Sequence, residues 1–330
     1  MSPTKFARLC IALFLLCGTT LAQQPKLTWY PFDTTFISAR YANSAIGEVP
    51  AKASQAAKSV HAEICGGDDA ELHIGIKLAD VGLAANQMPL TGPVVAGDSG
   101  WGIVAELPNG KLADGPAKFA KLAGKPITFT GYFRVWDEGH AKGAVHPSNP
   151  HHVFEVHPAW AFRGAGVSFS RVDLVASMGK YRGFGAKKFK ELLSAVSAEK
   201  WPLAYQDEGK LFVGLAKDQN FYQLPVEVKA KKSVSGGHEW TLDVFTDKAI
   251  SKLFYSGLTA VTADGSPIDD SLKIGQKSFL LGFFSVNLKK ALDASEGAGS
   301  EAKAVPVKEA LEFFVFGVAR NSAVESCSKH

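Results

Sequence analysis

Glu71-Leu72-His73-Ile74-Gly75-Ile76 and, after a Pro- and Gly-rich stretch, Gly102-Ile103-Val104-Ala105-Glu106-Leu107-Pro108 decide how this chain is read. In the first run Leu72, Ile74 and Ile76 share one face while Glu71 and His73 take the other, the period of two of a half-buried strand. Upstream, residues 60–64 read as another strand, with Gly66-Gly67-Asp68-Asp69 as the turn of a hairpin. Downstream, residues 114–122 read as a short helix with Phe119 and Leu122 inward, Gly124-Lys125-Pro126 opens a fourth strand over 127–136, and a fifth runs over 153–162. Five short strands with one helix between the third and fourth is the order of an OB-type barrel. The fold class expected is therefore mainly β (α+β): an OB-like five-stranded barrel followed by a second antiparallel β-rich domain.

The second half is expected to begin near Gly164-Ala165-Gly166. Residues 187–198 carry Phe189, Leu192, Leu193 and Val196 at helical spacing, and Trp201-Pro202 ends that helix. Strand-like runs follow at 210–215, 221–229, 239–245, 253–263, 278–287 and 311–318. Between the last two, residues 289–305 read as a helix end and an exposed loop. No repeat in the sequence links the two halves.

At the N-terminus Lys5 and Arg8 precede an apolar run over residues 9–17 and the small-residue stretch Gly18-Thr19-Thr20-Leu21-Ala22. These are the three parts of a secretory signal, and the apolar centre falls well short of the roughly 20 residues a membrane helix needs. Residues 1–22 are read as a cleaved signal peptide and the mature protein is expected to be secreted or periplasmic. The remaining roughly 308 residues suit two domains of about 100 to 200 each, read as an N-terminal extension 23–58, the OB-like barrel 59–163 and the β-rich domain 164–330. Net charge falls from +4 to about +2 once Lys5 and Arg8 leave, which is not the basic footprint of a dedicated nucleic-acid binder. Of the four cysteines, Cys65 and Cys327 survive the cut. In an oxidising compartment they are a disulfide candidate; the other reading leaves Cys65 simply buried.

The succession Glu71-Leu72-His73-Ile74, Ile103-Val104-Ala105-Glu106-Leu107-Pro108, Thr128-Phe129-Thr130-Gly131-Tyr132-Phe133 and Phe154-Glu155-Val156-His157-Pro158 resembles a group of uncharacterised bacterial secreted OB-like domains. These carry a strand ending in acidic-hydrophobic-Pro and close with Glu-hydrophobic-His-Pro. The resemblance covers residues 60–162 and implies an architecture, not a reaction. This chain differs in having Ala70-Glu71 where Gly-Asp is usual and in a His-rich insertion before the last strand.

Five of the nine histidines lie between His140 and His157, beside Asp137, Glu138 and Glu155. Imidazole with carboxylate suits zinc or another transition metal. Strand alternation places Glu155 and His157 on one face with His151, and His152 on the other; His140 and His146 would reach the site from the preceding loop. Against this, no His-Glu-x-x-His spacing is present, and Glu155 and His157 serve equally as a brace within the barrel. No Gly-x-Ser-x-Gly turn exists, and Gly179-Lys180-Tyr181-Arg182-Gly183-Phe184-Gly185 lacks the spacing of a phosphate loop. The binding face of an OB barrel lies on its second and third strands, here Glu71, His73 and Trp101, with Trp136 beyond. The acidic residues on that face oppose the positive groove that single-stranded nucleic acid needs, so an oligosaccharide or peptide is the expected ligand. The leading expectation is a non-catalytic binding or structural module with no cofactor. The alternative is a metal-dependent hydrolase on His140, His146, His151, Glu155 and His157.

Overall fold

A computed structural model describes residues 26–52, 58–59, 72–77, 102–108, 115–122, 124–137, 152–180, 189–218 and 221–319. In chain order the strands are β1 Leu27–Asp33, β2 Ile46–Lys52, β3 Lys58–Ser59, β4 Leu72–Lys77, β5 Gly102–Leu107, β6 Pro126–Val135, β7 Phe154–Gly164, β8 Val167–Ser170, β9 Leu203–Asp207, β10 Lys210–Ala216, β11 Tyr222–Val234, β12 Gly237–Phe245, β13 Leu253–Ala263, β14 Lys277–Val286, β15 Val305–Pro306 and β16 Leu311–Ala319. The protein is mainly β, as the alternating runs require. Among the described residues no helix is long and apolar enough to cross a membrane.

The closed five-stranded barrel lies in the second half, in the order β11-β12-β13-β16-β14. Counting its strands 1 to 5 along the chain, the order is 1-2-3-5-4, with strands 3 and 5 parallel through Thr259↔Glu312. The first half follows the same order: β2-β6-β7-β5-β4-β3, with β8 attached to β7. Its parallel pair is again third with fifth, β5 with β7. This is a seven-stranded sheet, and its end strands β2 and β3 both come from residues 46–59; taken together as strand 1 they give it the barrel's order, so it is called the first barrel below. In the second barrel β11 takes both of these places. Tyr222–Glu227 pairs with β14 and Val226–Val234 with β12, and an irregularity between Val228 and Ala230 bends the strand from one partner to the other. A short helix sits between strands 3 and 4 in each half, Gly115–Ala120 and Pro267–Ser271.

With the strands aligned, a repeat emerges that the sequence alone had not revealed. Gly131-Tyr132-Phe133-Arg134-Val135 and Gly282-Phe283-Phe284-Ser285-Val286 occupy the same place in the fourth strands. Phe154-Glu155 and Leu311-Glu312 correspond in the fifth, since Glu155 pairs with Arg134 and Glu312 with Ser285. Both glycines lie where the register shifts. A Cβ on Gly131 would stand 2.5 Å from the Pro158 carbonyl oxygen, and one on Gly282 would strike the Phe314 carbonyl oxygen. The shared glycine lets strand 5 pass closely over strand 4.

Residues 23–58, read as an extension, hold structural elements. β1 pairs along its length with β10, in a sheet ordered β1-β10-β9-β15. Asp33 then caps the helix Thr34–Arg40, its side chain accepting from the Phe36 amide at 2.8 Å. Phe32, Phe36, Ile37 and Tyr41 enter the core, which continues through both barrels. β2 follows as the first barrel strand; Pro50 within it masks the strand in the sequence. The strand expected over 60–64 and its turn lie outside the described residues, as does Tyr181-Arg182-Gly183-Phe184-Gly185. At Gly164-Ala165-Gly166, Ala165 (φ 46°) and Gly166 (φ 78°) form the two-residue turn joining β7 to β8. The helix Phe189–Ser197 buries Phe189, Leu192, Leu193 and Val196, the residues its periodicity selects.

Candidate functional site

Four adjacent strands of the first barrel contribute to one polar stripe, and register explains its membership. His73 in β4 stands opposite Glu106 in β5. The parallel pairing Val104↔Glu155 and Ala105↔Val156 brings Glu106 alongside His157. Arg134 in β6 stands opposite Glu155. Glu155 and His157, two apart in β7, share a face by alternation.

The contacts are short. Arg134 donates from Nη1 to Glu155 Oε1 at 2.5 Å. His157 Nδ1 lies 3.1 Å from Glu106 Oε2 and 3.4 Å from Glu155 Oε1, and His73 Nε2 lies 3.5 Å from Glu106 Oε1. His152 Nε2 is 3.1 Å from Glu155 Oε2. The sequence reading set His152 on the opposite face. It lies two residues before β7, ahead of a bend at Val153, so strand alternation does not govern it and its ring meets Glu155. Burial would push the Glu155 carboxyl upward. The Arg134 guanidinium, then His157 and the His152 hydrogen bond, reverse this and hold it well below the usual carboxylate range.

The second barrel covers this stripe. The His157 ring packs on Phe283 at 4.9 Å between centroids, and Phe221 stands edge-on to it at 6.5 Å. Arg134 lies 4.5 Å over the Phe283 ring and donates from Nε to the Phe284 carbonyl at 3.4 Å. The Val135 amide donates to Ser285 Oγ at 2.9 Å. As a result Arg134 and His157 are 0 % exposed and Glu155 3 %.

The contact between the barrels is reciprocal. Phe314, which corresponds to His157, packs on Tyr132 at 4.5 Å, and Tyr132 corresponds to Phe283. A second polar stripe lies on the other side of this contact. Glu312 is fully buried; its Oε2 accepts from the Tyr132 hydroxyl at 3.0 Å and its Oε1 from Asn287 Nδ2 at 2.9 Å. Lys290 Nζ bridges Glu312 at 2.8 Å and Glu239 at 2.6 Å.

Of the expected site residues, Glu155, His157 and His73 are brought together. His73 is buried in the stripe instead of facing an open groove. Trp136 is also buried, edge-on to Trp201 at 5.5 Å and stacked on Phe284 at 6.2 Å. Glu71, Trp101, His140, His146, His151, Cys65 and Cys327 lie outside the described residues. Glu106, Arg134 and His152 join the stripe without having been singled out. The signal for two of them is a charge set among apolar neighbours, in Val104-Ala105-Glu106-Leu107 and Tyr132-Phe133-Arg134-Val135, since buried charges are found paired.

No family model matches this chain, and no curated protein matches it. A solved structure of a murine DNA-binding protein bound to double-stranded DNA is 12 % identical, over 82 % of this chain and 98 % of that one, with a TM-score of 0.19. A superposition that loose carries no argument about fold or ligand.

Proposed function

We propose that this protein is a secreted or periplasmic, non-catalytic module in which two OB-like barrels form one body that binds an oligosaccharide or an extended peptide. The observation that carries the reading is the sealing of the His/Glu/Arg stripe. A general acid or base must come within hydrogen-bond reach of its substrate, and here the second barrel covers the imidazoles and carboxylates that would do that work. The stripe then acts as a brace between barrels, and a hydrolase reading would need a substrate to displace Phe283 and Phe221.

Ligand contact falls instead on the second barrel. A groove of about 490 Å³ runs past Phe254, Tyr255, Ser256 and Gly257 at the start of β13, with Lys308 and Glu309 on its far wall. β13 is the third strand of its barrel, part of the face OB barrels use for ligands. Aromatic edges beside hydroxyls and a few charges suit a sugar or peptide chain. The signal-like N-terminus supports export.

Screening the mature protein against glycan and peptide arrays tests this, with Tyr255→Ala as the groove variant. Binding that Tyr255→Ala weakens by about tenfold, or 1.4 kcal/mol, is the expected result. Hydrolytic turnover that disappears in His157→Ala while the fold is retained would overturn the non-catalytic reading.

A further inference from the structure

We propose that Glu106, His152 and Glu155 bind a divalent transition-metal ion, zinc by their ligand chemistry, which ties β5 to β7 beneath the second barrel. One ligand atom from each of the three residues can be chosen so that all lie within 4.8 Å of one another, and all three side chains are buried. Zinc bonds of about 2.0 to 2.2 Å set neighbouring ligand atoms roughly 3.3 Å apart. His152 Nε2 and Glu155 Oε2 are 3.1 Å apart. His157 Nδ1 lies beside this group, 3.1 Å from Glu106 Oε2 and 3.4 Å from Glu155 Oε1, the oxygen that Arg134 also holds.

The second barrel supplies the independent reason. There a buried stripe also holds two carboxylates, Glu239 and Glu312, and a lysine ammonium sits between them. In the first barrel, among the described residues, imidazole nitrogens stand beside Glu106 and Glu155. Arg134 engages Glu155 through Oε1, and His152 Nε2 stands at Oε2. A metal ion held by imidazole and carboxylate would stand against these buried carboxylates as Lys290 stands against Glu239 and Glu312 in the second barrel. Arg134 on Glu155 and His73 on Glu106 become the outer partners that orient the ligands. All three side chains are buried, so the ion is structural.

The mature protein, produced without an affinity tag in zinc-supplemented medium and then dialysed, is assayed for zinc by elemental mass spectrometry beside Glu106→Gln, His152→Ala and His238→Ala. About one equivalent is expected in the wild type, with affinity at least about tenfold weaker in the first two variants. His238→Ala, in a separate cluster with Asp264 and Asp269, should keep its zinc. A wild type that retains no zinc overturns the proposal, and so do first-pair variants that retain as much as the wild type. If either variant fails to fold, cobalt(II) loaded into the wild type decides: intense visible bands of a tetrahedral site are expected, and the weak bands of an octahedral ion overturn it. Neither readout depends on the groove at Tyr255, so this inference and the proposed function fail separately.

Discussion

Glu155 in β7 and Glu312 in β16 hold the same position in their barrels, both buried on the fifth strand and both facing the other barrel, yet their partners differ in kind. Glu312 is met by a tyrosine hydroxyl, an amide and an ammonium, and Lys290 keeps 29 % of its side chain exposed. Glu155 is met by a guanidinium and two imidazoles, with a second carboxylate one residue away and all of it sealed. One architecture therefore carries two charge solutions. Where a long side chain leads out to water, a fixed cation suffices. Where the stripe is closed, the charges must be balanced within it, and histidine is the residue that can donate, accept or ligate.

The largest effect expected from breaking this comparison is at Arg134. Arg134→Met strands Glu155 in the interface and should cost about 3 to 5 kcal/mol, as removal of one partner of a buried pair does. Lys290→Met leaves the buried Glu312 its hydrogen bonds from Tyr132 and Asn287, and should cost about half that or less. Urea unfolding of both variants checks the order; equal losses would show that the two stripes are energetically alike.

Next are the paired glycines. Gly131→Ala and Gly282→Ala each force a methyl group into the passing fifth strand, and each should lose about 1 to 3 kcal/mol by overpacking. Thermal melts showing one variant near wild type would break the correspondence between the barrels. A smaller loss, about 1 kcal/mol, is expected from Tyr132→Phe, which removes one neutral donor to Glu312 while keeping the ring contact with Phe314.

Smallest at neutral pH, and opposite in sign away from it, are the titrations. Glu155 has a folded pKa below its ordinary 4.5. The stability it contributes is complete above about pH 4.5 and disappears as pH falls through the lower folded value. Lys290 is the mirror case. Burial would lower its pKa, but Glu312 and Glu239 raise it above 10.5. Its contribution is complete below about pH 10.5 and is lost as pH rises through the folded value. Stability measured against pH should therefore be flatter on the acid side in Glu155→Gln and flatter on the alkaline side in Lys290→Met. Exchange of those two outcomes would contradict the assignment of partners.

The sequence by itself determined that the chain is mainly β, that β4 to β7 follow the order of an OB-type barrel, and that Phe189, Leu192, Leu193 and Val196 share a helix face. Each of these is a local periodicity, set by which side chains can be buried from a strand or a helix. It also drew attention to Glu155 and His157, because alternation is a property of one strand. Tertiary structure alone decided the rest. Glu106, Arg134 and His73 come from three other strands, and only strand register places them beside Glu155. His152 escaped because the chain bends before β7 begins. The repeat between the barrels was hidden because register shifts at Gly131 and Gly282 and a bent first strand preserve topology, while little more than a glycine, a phenylalanine, a valine and a glutamate persist as sequence. How a carboxylate is buried depends on what packs over it, and over Glu155 that includes Phe283, in a strand more than a hundred residues further along the chain.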